Sequence, residues 1–127
     1  MSDQPVKVIL DTSAIVAFTH GSIDVGEVIA EVHDEYAVAG LPMLCLVEAS
    51  GAVADGDRLD LLVNHQATAL LAPDPGDWQA LAAVYDSVGR LDAASAVLAA
   101  IDLGCQVLSN RPGLYAGLEG GGPVIPF

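Results

Sequence analysis

Positive charge is scarce in this chain. Four basic residues, Lys7, Arg58, Arg90 and Arg111, face 17 acids, for a formal net charge of −13 at pH 7. Nonspecific grip on a nucleic-acid backbone relies on Lys and Arg that displace counterions from phosphates. So few basic residues cannot supply that grip unaided; the charge suits metal cations, a basic protein, or water alone. Cysteine is also sparse. Cys45 in "MLCLV" and Cys105 in "GCQVL" form no CxxC or Cys/His spacing and read as free thiols among apolar neighbours, in a reducing compartment. No apolar run approaches the ~18–20 residues of a membrane-spanning helix. The opening "MSDQPVK" has neither the basic cluster nor the apolar stretch of a signal peptide. These absences predict a soluble, cytoplasmic protein that makes no membrane contact.

What the chain does have is apolar substance. Hydrophobic residues make up 53% of 127, and the mean hydropathy of +0.51 excludes a disordered chain. That length suits one domain, residues 1–127, around one substantial core. The apolar residues come in short pieces. Val6–Leu10 reads as a buried parallel strand, and a helix from Thr12 or Ser13 to about Thr19 follows. After the Gly21–Ser22 break, Asp24 is expected to cap a helix whose stripe is Val25, Val28, Ile29 and Val32, with Glu27, Glu31 and Asp34 facing water.

The alternation continues. "YAVAG" predicts a strand, Pro42 the first turn of a helix over Pro42–Ala54, and Asp57 the cap of a helix reaching about His65. "TALLA" predicts a strand, Asp77 the cap of a helix over Trp78–Val88, and Asp92–Leu103 an Ala-rich helix stopped by Gly104. "CQVLS" and "VIPF" close the set as strands, with a short helix at "PGLYAGL" and a turn at "EGGG" between them. Strand and helix alternating in this way predict α/β, a three-layer α/β/α sandwich with a mainly parallel central sheet. Ligands of such sheets lie beyond the carboxyl ends of the strands.

Most of the acids fall on caps, turns and polar helix faces. Glu48 does not: no other charge occurs between Leu41 and Val53. An ionised carboxylate buried without a partner is strongly unfavourable, so Glu48 must reach water, a hydrogen-bond network or a cation. Asp11 ends the first strand and either caps the helix begun by Thr12 or carries chemistry. Asp92 in "RLDAASAV" invites the same two readings, with the helix dipole favouring it there. No Lys or Arg lies close in sequence to Asp11 or Glu48. Carboxylates gathered without basic partners repel one another, and a divalent cation relieves that repulsion. Oxygen-only ligands suit Mg²⁺ or Mn²⁺, which can activate water against a phosphodiester.

Three blocks in order, "VILDTSAIVAF", "LPMLCLVEASGAV" and "RLDAASAVLAAIDLGCQVLS", together resemble the PIN-domain family, especially the ribonuclease toxins of VapBC-type toxin–antitoxin pairs. The resemblance spans nearly the whole chain. It implies an α/β/α sandwich and cleavage of RNA at a Mg²⁺ or Mn²⁺ site on the sheet's carboxyl edge. It also implies an antitoxin protein partner and a homodimer. Asp11, Glu48 and Asp92 fall on the family's catalytic, metal-binding acids, and Thr12 or Ser13 on the hydroxyl that supports the first of them. The family often adds Thr-x-Asp after the late strand; here Ser109 matches the Thr, and Arg111 stands where the Asp would be. Arg is a permanent cation and cannot bind a metal, whereas Asn110 offers a neutral oxygen one residue away. Three outcomes stay open: one metal on three carboxylates, Arg111 touching substrate phosphate, or loss of activity.

Competing phosphoryl-transfer readings fail on particular residues. Haloacid-dehalogenase-like phosphatases want Asp-x-Asp, and Ser13 holds the third place; receiver domains want a late-strand Lys, and the one Lys is Lys7. "GLEGGGP" lacks the Lys-Ser/Thr of a phosphate loop. His20, His33 and His65 share no ligand spacing and are expected on the surface. Two functions remain: a metal-dependent endoribonuclease toxin, or a catalytically silent PIN-like module whose acidic face binds a basic protein.

Overall fold

In the computed structural model, which describes residues 4–53 and 55–127, five strands form one sheet. They are β1 (Val6–Leu10), β2 (Val38–Pro42), β3 (Thr68–Leu71), β4 (Gln106–Ser109) and β5 (Val124–Pro126). Six helices connect them: α1 (Thr12–Thr19), α2 (Ile23–Asp34), α3 (Met43–Ala52), α4 (Gly56–Val63), α5 (Trp78–Val88) and α6 (Leu91–Leu103). The strand order is β3-β2-β1-β4-β5 and every pairing is parallel. The chain is therefore α/β. Val8, Ile9 and Leu10 are all buried, which a strand achieves only when both faces of its sheet are covered.

The order of strands places the site. The chain moves outward from β1 to β2 to β3, then returns to pair β4 on the other side of β1. Right-handed crossovers in opposite directions put their helices on opposite faces of the sheet. The strands' carboxyl ends part between β1 and β4, and that crevice is where such folds take ligands. Asp11 follows β1 directly, and Ser109 to Arg111 end β4 and follow it. Gly40, in the middle of β2, lets neighbouring side chains pack close: a Cβ there would stand 2.6 Å from Leu71 Cδ1 and 2.9 Å from Ile9 Cδ1, which would have to turn aside.

Several boundaries differ from expectation, each for a local reason. Ser22, not Asp24, caps α2, accepting a hydrogen bond from the Val25 N–H at 3.4 Å, which leaves Asp24 in the first turn. Asp55 caps α4 in place of Asp57, whose own N–H it binds at 3.0 Å. The second strand starts at Val38 because Tyr36 holds a left-handed backbone (φ 56°) that no strand tolerates, and Pro42 ends that strand rather than opening α3. The far end expected for α3, Ala54, lies outside the described residues. Gly104 stops α6 in the left-handed conformation (φ 69°), as the sequence predicts. "PGLYAGL" forms only a single 3-10 turn over Pro112–Tyr115. Among the described residues no helix is long and apolar enough to cross a membrane.

Candidate functional site

A cavity of about 330 Å³ opens at the carboxyl edge between β1 and β4. Its lining includes Asp11, Thr12, Ser13, Glu48, Asp92, Asn110 and Arg111, brought from four separate stretches of chain. Ser109 sits just behind that wall, fully buried, with its hydroxyl 3.3 Å from that of Ser13. Every residue singled out in the sequence is thus gathered at one place. The cavity also takes in two side chains the sequence reading passed over, Arg90 and Tyr115.

Asp11 is almost fully buried, at 2% exposure. Its Oδ1 accepts from the Ser13 hydroxyl at 2.6 Å and from the Ala14 N–H at 3.0 Å, so it caps α1 as its bland reading required. Its Oδ2 accepts from the Tyr115 hydroxyl at 2.7 Å. Since Ser13 gives its one proton to Asp11, its lone pairs are free to accept, and they take the Asn110 N–H at 3.1 Å and the Ser109 hydroxyl. Ser109 in turn accepts the Arg111 N–H at 3.0 Å. One relay of neutral donors therefore ties the end of β1 to the loop after β4. Burial and the neighbouring Asp11 carboxylate push the Tyr115 phenol far up, so it stays a neutral donor.

Asp92 is satisfied differently. Its Oδ2 accepts from the Thr12 hydroxyl at 2.6 Å. The Arg90 fork closes on both oxygens, Nε to Oδ1 at 3.2 Å and Nη2 to Oδ2 at 3.3 Å. Arg90 stands at the N-cap of α6 in an extended conformation, two residues before its partner. Burial pushes the Asp92 carboxyl up, but the Thr12 hydroxyl and the Arg90 guanidinium outweigh it and hold the group below the usual carboxylate range. The Asp92 hydrogen bonds raise Arg90 correspondingly. Behind them Cys45, buried, donates its thiol to the Asp92 carbonyl at 3.3 Å; burial pushes that thiol up to about 12, so it is an inert packing group.

Glu48 lines the cavity from α3 and is exposed to water. Of the three exits the sequence allowed it, it takes solvent. Among the described residues the ion pairs are Arg58–Asp55 and Arg90–Asp92, so Glu48 and Arg111 have no charged partner. The histidines are exposed apart from half-buried His65, whose Nδ1 accepts the Ala67 N–H at 2.9 Å.

The lone pairs decide whether these carboxylates can hold a metal. A carboxylate offers about four acceptor positions. Asp11 uses three on Ser13, Ala14 and Tyr115; Asp92 uses three on Thr12 and the two arms of Arg90. Among the described residues no three His, Cys, Asp or Glu side chains are gathered closely enough to hold an ion. The donor set has the oxygen chemistry Mg²⁺ or Mn²⁺ wants, but this arrangement does not fit a directly coordinated metal. One guanidinium, that of Arg90, already offsets one of the three carboxylates, Asp92.

No family model matches the chain, and no curated protein does. Solved structures do: 16 chains match. One is the crystal structure of PAE2754 from Pyrobaculum aerophilum, 17% identical, with a TM-score of 0.68 over 95% of this chain and 89% of that one. At that identity the likeness is one of fold.

Proposed function

We propose that this chain is a PIN-like domain, related to the toxins of VapBC-type pairs, whose pocket is catalytically silent and which works as an interaction module for a basic protein. One observation carries the reading: the two innermost acids, Asp11 and Asp92, are committed to donors of the chain itself, one of them the permanent cation Arg90. A ribonuclease of this kind would need those carboxylates for a metal, and the acid that the family often adds after the late strand is replaced here by Arg111.

Charge supports the choice of partner. Along α2, Asp24, Glu27, Glu31 and Asp34 recur on one exposed helical face, and among the described residues none of them is in an ion pair. Ile23 and Tyr36, 74% and 81% exposed, stand at the two ends of that face. Apolar anchors flanking a row of carboxylates suit a Lys- and Arg-bearing segment.

A second reading, the Mg²⁺- or Mn²⁺-dependent endoribonuclease toxin, is favoured by the convergence of Asp11, Glu48 and Asp92 on one cavity. Under it those acids would hold the metal, which would activate water and neutralise the phosphodiester. Arg111 would contact RNA, and an antitoxin would cover the site. The assay that separates the two is incubation of structured RNA with the purified protein and Mg²⁺ or Mn²⁺, with and without EDTA, beside Asp11→Asn. The silent module leaves RNA intact in every lane, and Arg111→Asp does not awaken it. Cleavage that EDTA and Asp11→Asn both abolish would overturn it in favour of the nuclease.

A further inference from the structure

We infer that Arg90 is the built-in substitute for the divalent cation this pocket would otherwise need, and that it keeps metal ions out of the wild-type protein. The inference rests on the PIN-like reading for the expectation of a metal; the rest comes from the pocket. Three carboxylates line one cavity, and two of them, Asp11 and Asp92, are nearly inaccessible to water. Burying like charges together is costly unless positive charge stands among them.

Arg90 supplies that charge in the geometry a guanidinium does best. Its fork meets both oxygens of Asp92, at 3.2 and 3.3 Å, while its own side chain remains 43% exposed at the cavity mouth. It is therefore placed to neutralise Asp92 and to compete for the same two oxygens. An ion bound to both Asp92 oxygens would have to displace the guanidinium from them. The two cations are competitors for one carboxylate, so binding of one excludes the other from those oxygens.

The neighbouring network shows why Asp92 is the acid concerned. Asp11 is held by neutral hydroxyls and an N–H, which add no positive charge, and Glu48 is exposed and in no ion pair among the described residues. Among the described residues, the guanidinium paired within the pocket is the one on Asp92, and Arg111 lines the same cavity in no ion pair. Removing Arg90 therefore leaves a buried carboxylate with the Thr12 hydroxyl as its remaining side-chain donor, and that deficit is what a divalent ion can fill.

The test is Mn²⁺ titration by calorimetry, with thermal melts read in parallel, on wild type, Arg90→Gln, Arg90→Met and Arg90→Gln with Asp92→Asn. Wild type should show no binding up to millimolar Mn²⁺ and a melting temperature indifferent to the ion. Arg90→Gln should melt lower than wild type in EDTA, bind Mn²⁺ at least about tenfold more tightly than wild type, and recover melting temperature as Mn²⁺ rises. Adding Asp92→Asn should abolish both gains. Arg90→Met keeps the aliphatic stem and decides the matter should Arg90→Gln fail to fold. Wild-type affinity equal to that of the Arg90 variants overturns the substitution, as does an Arg90 variant that folds and stays blind to Mn²⁺. Neither outcome depends on RNA cleavage, so the inference and the silent-module reading fail separately.

Discussion

Asp11 and Asp92 line one cavity and are almost equally buried, yet they are stabilised by opposite means. Asp11 sits among neutral donors fixed by the fold: a helix N–H, the serine two residues on, and a tyrosine that is itself wholly buried. Asp92 depends on a charged side chain that is itself half-exposed to solvent. The first acid is locked by packing, the second by charge. The difference divides the pocket into a rigid wall at the β1–β4 crevice and an adjustable one at the head of α6, and salt, pH and mutation should act unequally on the two.

The largest effect is expected at the rigid wall. Tyr115→Ala removes a fully buried aromatic ring and the donor to Asp11 together. Loss of a buried aromatic costs about 3–5 kcal/mol, visible as a collapse of the urea midpoint. Tyr115→Phe keeps the ring and deletes only the hydroxyl; it should cost about 1–3 kcal/mol, the usual penalty for stranding a buried acceptor. A midpoint unchanged by Tyr115→Phe would mean that Asp11 finds water or another donor, and the rigid wall would lose its rigidity.

At the adjustable wall the effects should be smaller and sensitive to conditions. Arg90 is 43% exposed, so solvent screens its pairing, and Arg90→Ala should cost no more than about 1 kcal/mol without metal. That cost should shrink in high salt, whereas the Tyr115→Phe cost should not. The pH dependence follows from Asp92. Its folded-state value lies below the ordinary one, so its stabilisation is complete above about pH 4, the unfolded value, and is lost as pH falls through the folded value. Urea unfolding of wild type from pH 6 downward should therefore steepen below about pH 4, and Asp92→Asn should flatten that part of the curve.

The same contrast explains what the sequence could and could not disclose. The fold was legible because β1, β2 and β4 are short apolar runs set between helical segments with clear stops, although the caps of α2 and α4 fell on other residues than expected. Trp78–Val88 and Gly104 stand where the pattern put them. The elements that shifted, such as the start of β2, turned on one residue's backbone: nothing in "YAVAG" says that Tyr36 is left-handed. Convergence of Asp11, Glu48 and Asp92 was legible from topology, since strand ends and helix heads around one crevice must meet. Tyr115 was not, because its partner lies 104 residues away and the intervening order of strands alone brings them together. Arg90 was visible all along, two residues before Asp92 in "GRLD", but proximity in sequence does not reveal that its fork folds back onto the carboxylate.

Glu48 gives the smallest expected effect and the finest probe of the comparison. It belongs to neither wall: exposed on α3, it looks into the cavity without a basic partner in any ion pair of the described residues. Exposed, unpartnered side chains usually tolerate substitution within about 0.5 kcal/mol, so Glu48→Gln should leave the wild-type urea midpoint where it is. Its effect should grow when Arg90 is absent. In Arg90→Gln the cavity keeps three carboxylates and loses its paired cation, so neutralising Glu48 there relieves repulsion that wild type does not suffer. The double variant should accordingly be more stable than the two single changes add up to, a coupling a double-mutant cycle reads directly. Strict additivity would place Glu48 too far from Asp92 to feel its charge, and the cavity would then contain two independent acids and a bystander rather than one electrostatic unit.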